Sequence, residues 1–128
     1  MNTTYPLQPV LKALIIDDET DICYLLGNIL RQRNYHTTYA SSLTEAGKLL
    51  ESQNDFNLIF LDNHLPDGYG ISFINRVKEK IPYAQLVMIT AHDANADKEK
   101  AARNGADFFI GKPFTREIIF KTLDRFTA

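Results

Sequence analysis

Short, unbroken apolar runs alternate along this chain with stretches whose apolar residues recur every three or four positions. The runs are Leu14-Ile15-Ile16, Leu58-Ile59-Phe60-Leu61, Leu86-Val87-Met88-Ile89 and Phe108-Phe109-Ile110. Runs of this length without polar interruption read as strands covered on both faces, as in a parallel sheet. Strands are predicted near 11–16, 35–39, 56–61, 85–90 and 107–110, each followed by a helical pattern. The first helix, from about Asp21 to Arg33, presents Ile22, Leu25, Leu26, Ile29 and Leu30. The second opens on Ser42-Leu43-Thr44-Glu45, a capping-box spacing, and buries Ala46, Leu49 and Leu50. The third runs from about Gly70 to Lys80 with Ile71, Ile74 and Val77 on one side, and Pro82 prevents its extension. The fifth starts after Thr115 and carries Ile118, Ile119 and Leu123. Five strand–helix units in this order predict an α/β fold, a doubly wound five-stranded parallel sheet with helices on both faces.

The fourth helical stretch, about Asn95 to Asn104, differs. Its apolar residues are Ala96, Ala101 and Ala102, and Gly105 ends it. Burying methyl groups stabilises far less than burying Leu or Ile, worth about 1.5–3 kcal/mol each. The segment reads either as a moving part or as a solvated surface helix.

Composition narrows the class. The 128 residues are 45% hydrophobic, enough for one domain's core, and 14 basic against 16 acidic residues leave a net charge of −2. No global field attracts nucleic acid or an anionic membrane. Cys23 is the one cysteine, which excludes an internal disulfide, and its place in an apolar helical pattern reads as a packed rather than reactive thiol. No run approaches the ~20 apolar residues of a membrane span. Residues 1–9, with Pro6 and Pro9, read as an extended lead-in without signal-peptide features, and residues 10–128 as a single domain. A soluble cytoplasmic protein is expected.

The polar residues that follow the apolar runs carry the candidate chemistry. They are Asp17-Asp18-Glu19, Asp62, Thr90-Ala91 and Lys112-Pro113. Each therefore lies at the carboxyl end of a core strand, the edge at which open α/β sheets bind ligands. Asp17 and Asp18 read two ways: as ligands of a hard cation such as Mg²⁺, or as caps of the following helix. With strand order 2-1-3-4-5, Asp62 faces them across the switch point, and three carboxylates in one place call for a cation. A carboxylate so held is a nucleophile towards phosphoryl groups. The loop Asn63-His64-Leu65-Pro66-Asp67-Gly68-Tyr69-Gly70 has turn residues that leave it accessible. Thr90 can donate to a phosphoryl oxygen, Ala91 leaves space, and Lys112 supplies a point charge.

This conjunction resembles the receiver domain of two-component response regulators. The likeness covers roughly residues 10 to 126 and rests on Leu14 to Glu19, Leu61 to Gly70, Ile89-Thr90-Ala91 and Ala101 to Phe114. The resemblance implies a flavodoxin-like sheet order and phosphorylation of Asp62 by a histidine kinase or phosphotransfer protein. It implies that Asp17 or Asp18, or both, bind Mg²⁺ with Asp62 and the main-chain carbonyl of His64. It implies that Thr90 and Lys112 contact the phosphoryl group and that Lys112-Pro113 is a cis peptide. The family's switch aromatic falls at Phe109, coupled to Thr90 and to the face of the fourth helix, fifth strand and fifth helix, a surface that also serves homodimers. Phe in place of the frequent Tyr removes any phenol hydrogen bond. His64 and His92 occupy rim positions, beside Ala91, that tune phosphate lifetime in the family.

The expected function is a phosphorylation-controlled signalling switch rather than an enzyme, although the domain takes part in its own phosphotransfer and hydrolysis. An aspartyl phosphatase is a second reading, but no second Asp follows Asp62 two places on to serve as general acid. A flavin binder would want a Gly-, Ser- or Thr-rich first loop where this one is acidic. A phosphate-independent interaction module does not need so complete a site. The segment itself is expected to bind no nucleic acid directly, leaving output to another domain or a downstream protein.

Overall fold

The computed structural model describes residues 10–91 and 95–127, so the N-terminal lead-in and His92 lie outside the described residues. Five parallel strands form the sheet: β1 (Leu11–Ile16), β2 (Tyr35–Ala40), β3 (Leu58–Asp62), β6 (Gln85–Thr90) and β7 (Phe108–Gly111). Their order is β2-β1-β3-β6-β7, the predicted 2-1-3-4-5 pattern of core strands. The helices are α1 (Thr20–Arg31), α2 (Leu43–Ser52), α3 (Ile74–Lys80), α4 (Asn95–Arg103) and α5 (Arg116–Thr127). A small antiparallel hairpin, β4 (His64–Leu65) and β5 (Gly68–Tyr69), stands between β3 and a 3-10 turn at Gly70–Phe73.

Strand alternation divides the core in two. Leu14, Ile16, Ile59, Leu61, Leu86 and Met88 face α2 and α3, where Leu50, Ile74 and Val77 meet them. Ala13, Ile15, Leu58, Phe60, Val87 and Ile89 face α1 and α5, against Leu26, Ile29, Leu30, Ile119 and Leu123. Successive side chains of a strand point to opposite faces, so a strand covered by helices on both sides must be apolar throughout. That is why every residue of β3 is buried.

Several sequence expectations shift. Leu25 and Ile118 are 46% and 41% exposed, because each lies about 100° around its helix from a neighbour, Leu26 or Ile119, that does face the sheet. The third helix begins as a 3-10 turn, and its α-helical part starts only at Ile74. Asn63 causes this local start: its carbonyl accepts from the Gly70 amide at 2.9 Å and its side-chain Oδ1 from the Ile71 amide at 3.0 Å. The Ser42 cap is present, its hydroxyl accepting from the Glu45 amide at 3.1 Å. Among the described side chains of α4 only Ala101 is buried, while Ala96 and Ala102 are exposed, so the apolar anchoring they give this helix is a single methyl group.

Gly105, just past α4, has φ +111, and a Cβ there would meet nothing nearer than 3.5 Å. The site has room for a side chain but the backbone disfavours one. Gly105→Ala should therefore destabilise the domain by about 1–2 kcal/mol without a packing clash, read as a lower midpoint with unchanged slope in equilibrium urea unfolding.

Candidate functional site

Parallel strands end on the same side of the sheet, and here four of those ends converge. Asp17 follows β1 directly, Asp62 is the last residue of β3, Thr90 the last of β6, and Lys112 follows β7. Main-chain bonds fix these ends: the Asp17 amide donates to the Ala40 carbonyl at 3.0 Å and the Lys112 amide to the Thr90 carbonyl at 2.8 Å. The Lys112-Pro113 peptide is cis. Asp17, Asp62 and Thr90 are 1%, 4% and 0% exposed, whereas Asp18 stands in solvent.

Asp17, Asp18 and Asp62 each offer a carboxylate oxygen, all within 4.8 Å of one another. Lys112 holds the cluster together. Its ammonium lies 2.8 Å from Asp17 Oδ2, 2.7 Å from Glu19 Oε2 and 3.7 Å from Asp62 Oδ1. Asp17 Oδ1 accepts from the Glu19 amide at 2.8 Å, but its buried Oδ2 receives no well-directed hydrogen bond beyond the Lys112 contact. A buried carboxylate lone pair so placed, among oxygen donors only, suits a hard divalent cation.

The electrostatics follow. Burial pushes the Asp62 carboxyl up to about 6, and the Asp17 charge adds to this against the opposing Lys112 charge and the His64 amide hydrogen bond. Burial likewise raises Asp17 against the Lys112 contact. Burial alone would lower Lys112, yet the contacts with Asp17 and Glu19 and the Asp62 charge hold it above an ordinary lysine. Cys23 donates its thiol to the Asp17 carbonyl at 3.3 Å, and burial, with the Asp17 charge, pushes it up to about 11. It stays protonated, a packed thiol as its sequence context suggests.

The other expected residues fall nearby. Ala91 is exposed at the rim. His64 is exposed on the hairpin, its ring edge-on to Tyr69 with centroids 5.5 Å apart. Met88 pairs with Phe109 and Thr90 with Gly111, so Thr90, Met88 and Phe109 project to one face of the sheet. There Phe109 is half-buried against the α2–α3 core. Glu19 joins the site through its ion pair with Lys112, which spans 93 positions and has no local sequence signal.

Residues 13–124 match the family model of the response regulator receiver domain. The chain is 36% identical over 102 residues to the response regulator protein PilR of Pseudomonas aeruginosa, covering 80% of this chain and 23% of PilR. Among solved structures, a response regulator protein from Burkholderia pseudomallei, with a phosphorylated aspartic acid, calcium ion and citrate, matches at TM-score 0.80. It is 30% identical, over 86% of this chain and 64% of that one. A CheY-like receiver domain protein from Methanospirillum hungatei matches at TM-score 0.84 and 25% identity, over 91% and 93% of the two chains. The chain spans less than half the length of the curated relatives it matches. Among the described residues no helix is long and apolar enough to cross a membrane.

The raised Asp62 carboxyl has a stability consequence when divalent metal is removed. Between its ordinary 3.8 and about 6, the folded protein holds a proton that the unfolded chain has released. Stability therefore falls as pH rises through that window and stays lower above it. In chelator, Asp62→Asn should be more stable than the parent at pH 7, by on the order of 1–2 kcal/mol. Its urea-unfolding profile from pH 4 to 7 should be flatter than the parent's.

Proposed function

This chain belongs to the response regulator receiver domain family, and we propose that it is a phosphorylation-controlled signalling switch with Asp62 as phosphoacceptor. One observation carries the reading: Asp62, at the carboxyl end of β3, lies within the three-carboxylate cluster, with Lys112 Nζ 3.7 Å away. The donor is the phosphohistidine of a histidine kinase or phosphotransfer protein. An Asp62 carboxylate oxygen attacks phosphorus, the P–N bond breaks, and its electron pair returns to the donor imidazole. Hydrolysis reverses the gain: water attacks phosphorus, the O–P bond breaks with its electron pair returning to the carboxylate, and inorganic phosphate and a proton leave.

Asp17, Asp18 and Asp62, with the main-chain carbonyl of His64, would hold Mg²⁺. The bound ion would neutralise charge developing on the phosphoryl oxygens. Lys112 exchanges a carboxylate partner for a phosphoryl oxygen, and Thr90 donates its hydroxyl to another. His64, exposed two residues beyond the acceptor, serves as a rim side chain that tunes the lifetime of the phosphate. The domain acts in the cytoplasm as a signalling module, and its targets are an output domain or a downstream protein.

The signal travels through Thr90 and Phe109. As the Thr90 hydroxyl turns to the phosphoryl group, it vacates volume on the sheet face it shares with Phe109, and the ring follows. The surface of α4, β7 and α5 then changes, with α4, in which Ala101 is the one buried side chain among those described, yielding most readily. The same face serves for self-association.

Two measurements test this reading. Incubation with a small acyl phosphate and Mg²⁺ should add one phosphate by intact-mass spectrometry, abolished in Asp62→Asn and by chelator; undiminished labelling of Asp62→Asn would overturn the assignment. Hydrogen exchange with beryllofluoride and Mg²⁺ should change most in α4 and around Phe109. A change confined to the Asp62 loop would exclude the proposed route.

A further inference from the structure

The segment after Asp62 is a hairpin of two-residue strands, far too small to hold its own shape in water. Its base is closed by the Asn63 bonds to Gly70 and Ile71, and Gly70 packs so tightly that a Cβ would collide with the Asp62 carbonyl oxygen. Leu65 anchors one side in the core. The tip, Pro66-Asp67, is exposed.

The Asp67 carboxylate reaches across to the amino end of α2. Its Oδ1 accepts from the Leu43 amide at 2.9 Å. Its Oδ2 accepts from the Thr44 amide at 2.9 Å and from the Thr44 hydroxyl at 2.7 Å. Leu43 and Thr44 open the helix, where amides have no partner within it and the dipole favours a negative charge. Next to Asp67, Gly68 brings the backbone against Leu43, whose Cδ1 would lie 3.1 Å from a Cβ at that position.

This arrangement is asymmetric in what it does for the two parts. An exposed helix end can give its amides to water, and Ser42 already caps the Glu45 amide. Water cannot tie the hairpin tip to α2 in the same way; the Asp67 carboxylate supplies three hydrogen bonds across that gap. We propose that Asp67 is a positioning residue for the acceptor loop: its carboxylate pins the hairpin onto α2 and so holds the Asp62–His64 backbone in shape for divalent metal and phosphoryl binding. The inference rests on the reading of Asp62 as acceptor. His64 is the link, because its amide hydrogen-bonds the Asp62 carboxylate and its carbonyl is the main-chain group assigned to the metal. The bonds from Leu43 and Thr44 pull the Asp67 carboxyl down to about 2, so the clamp persists across the physiological range and is not a pH switch.

Calorimetric titration of the metal-free domain with Mg²⁺ tests the clamp. Asp67→Ala should bind Mg²⁺ about three- to tenfold more weakly, below the 10–100-fold typical of residues that bond a metal ligand directly. Its labelling by an acyl phosphate should be slower at limiting Mg²⁺ and reach the parental rate at saturation. Asp67→Asn, which keeps one acceptor oxygen, should fall between. Ser42→Ala is the control: it removes a cap of α2 without touching the hairpin, and should lower stability while leaving Mg²⁺ affinity unchanged. Parental Mg²⁺ affinity in both Asp67 variants, or an equal loss in Ser42→Ala, would overturn the proposal. If the parent takes no phosphate yet Mg²⁺ affinity still falls in the Asp67 variants, the acceptor reading fails and the clamp stands. Should Asp67→Ala not fold, the Asp67→Asn comparison decides.

Discussion

Three carboxylates at one end of a sheet repel each other, and two of them are almost wholly buried. The fold can present them only because Lys112 enters the same space with a single compact charge. It meets Asp17 and Glu19 at hydrogen-bonding distance and stands slightly farther from Asp62. One ammonium does not neutralise three acids, so Asp62 and Asp17 remain reluctant to ionise. The unmet demand is for a second cation, which the three carboxylate oxygens within 4.8 Å of one another are placed to hold.

The sheet makes this concentration of charge tolerable. β1, β3 and β6 are central strands, buried on both faces by residues that cannot move without opening the core. Asp17, Asp62 and Thr90 project from the ends of these central strands and Lys112 from the end of the edge strand β7, and side chains carried on strands are positioned more precisely than side chains on loops. The supporting bonds are main chain to main chain, notably Lys112 to Thr90 and Asp17 to Ala40, and are indifferent to side-chain substitution.

Rigidity is not uniform around the site. The side towards α2 is tied by the Asp67 carboxylate and by Leu65. The side towards α4 has one buried alanine and the half-buried Phe109 ring. A local charge change at Asp62 therefore meets a stiff wall on one side and a yielding one on the other. Movement is expected where few apolar contacts oppose it, which is on the α4 side.

Much of this was legible along the chain. The apolar runs marked both-face burial, and thus a parallel sheet. Polar residues directly after the runs placed Asp17, Asp62, Thr90 and Lys112 at one edge, because strands that run parallel end on the same side. Helix faces were legible to within one residue; Leu25 and Ile118 were misplaced because periodicity does not say how wide a stripe the sheet can cover. What the chain could not disclose were pairings between distant residues. Glu19 with Lys112, Asp67 with the first amides of α2, and Arg33 with Asp124 each join groups more than twenty positions apart. Local patterns report the secondary structure a segment prefers, since propensity and periodicity act between near neighbours. Which carboxylate faces which cation is decided only when the sheet order brings chain ends together, because hydrogen bonds and ion pairs act over a few ångströms of space and are blind to separation along the sequence.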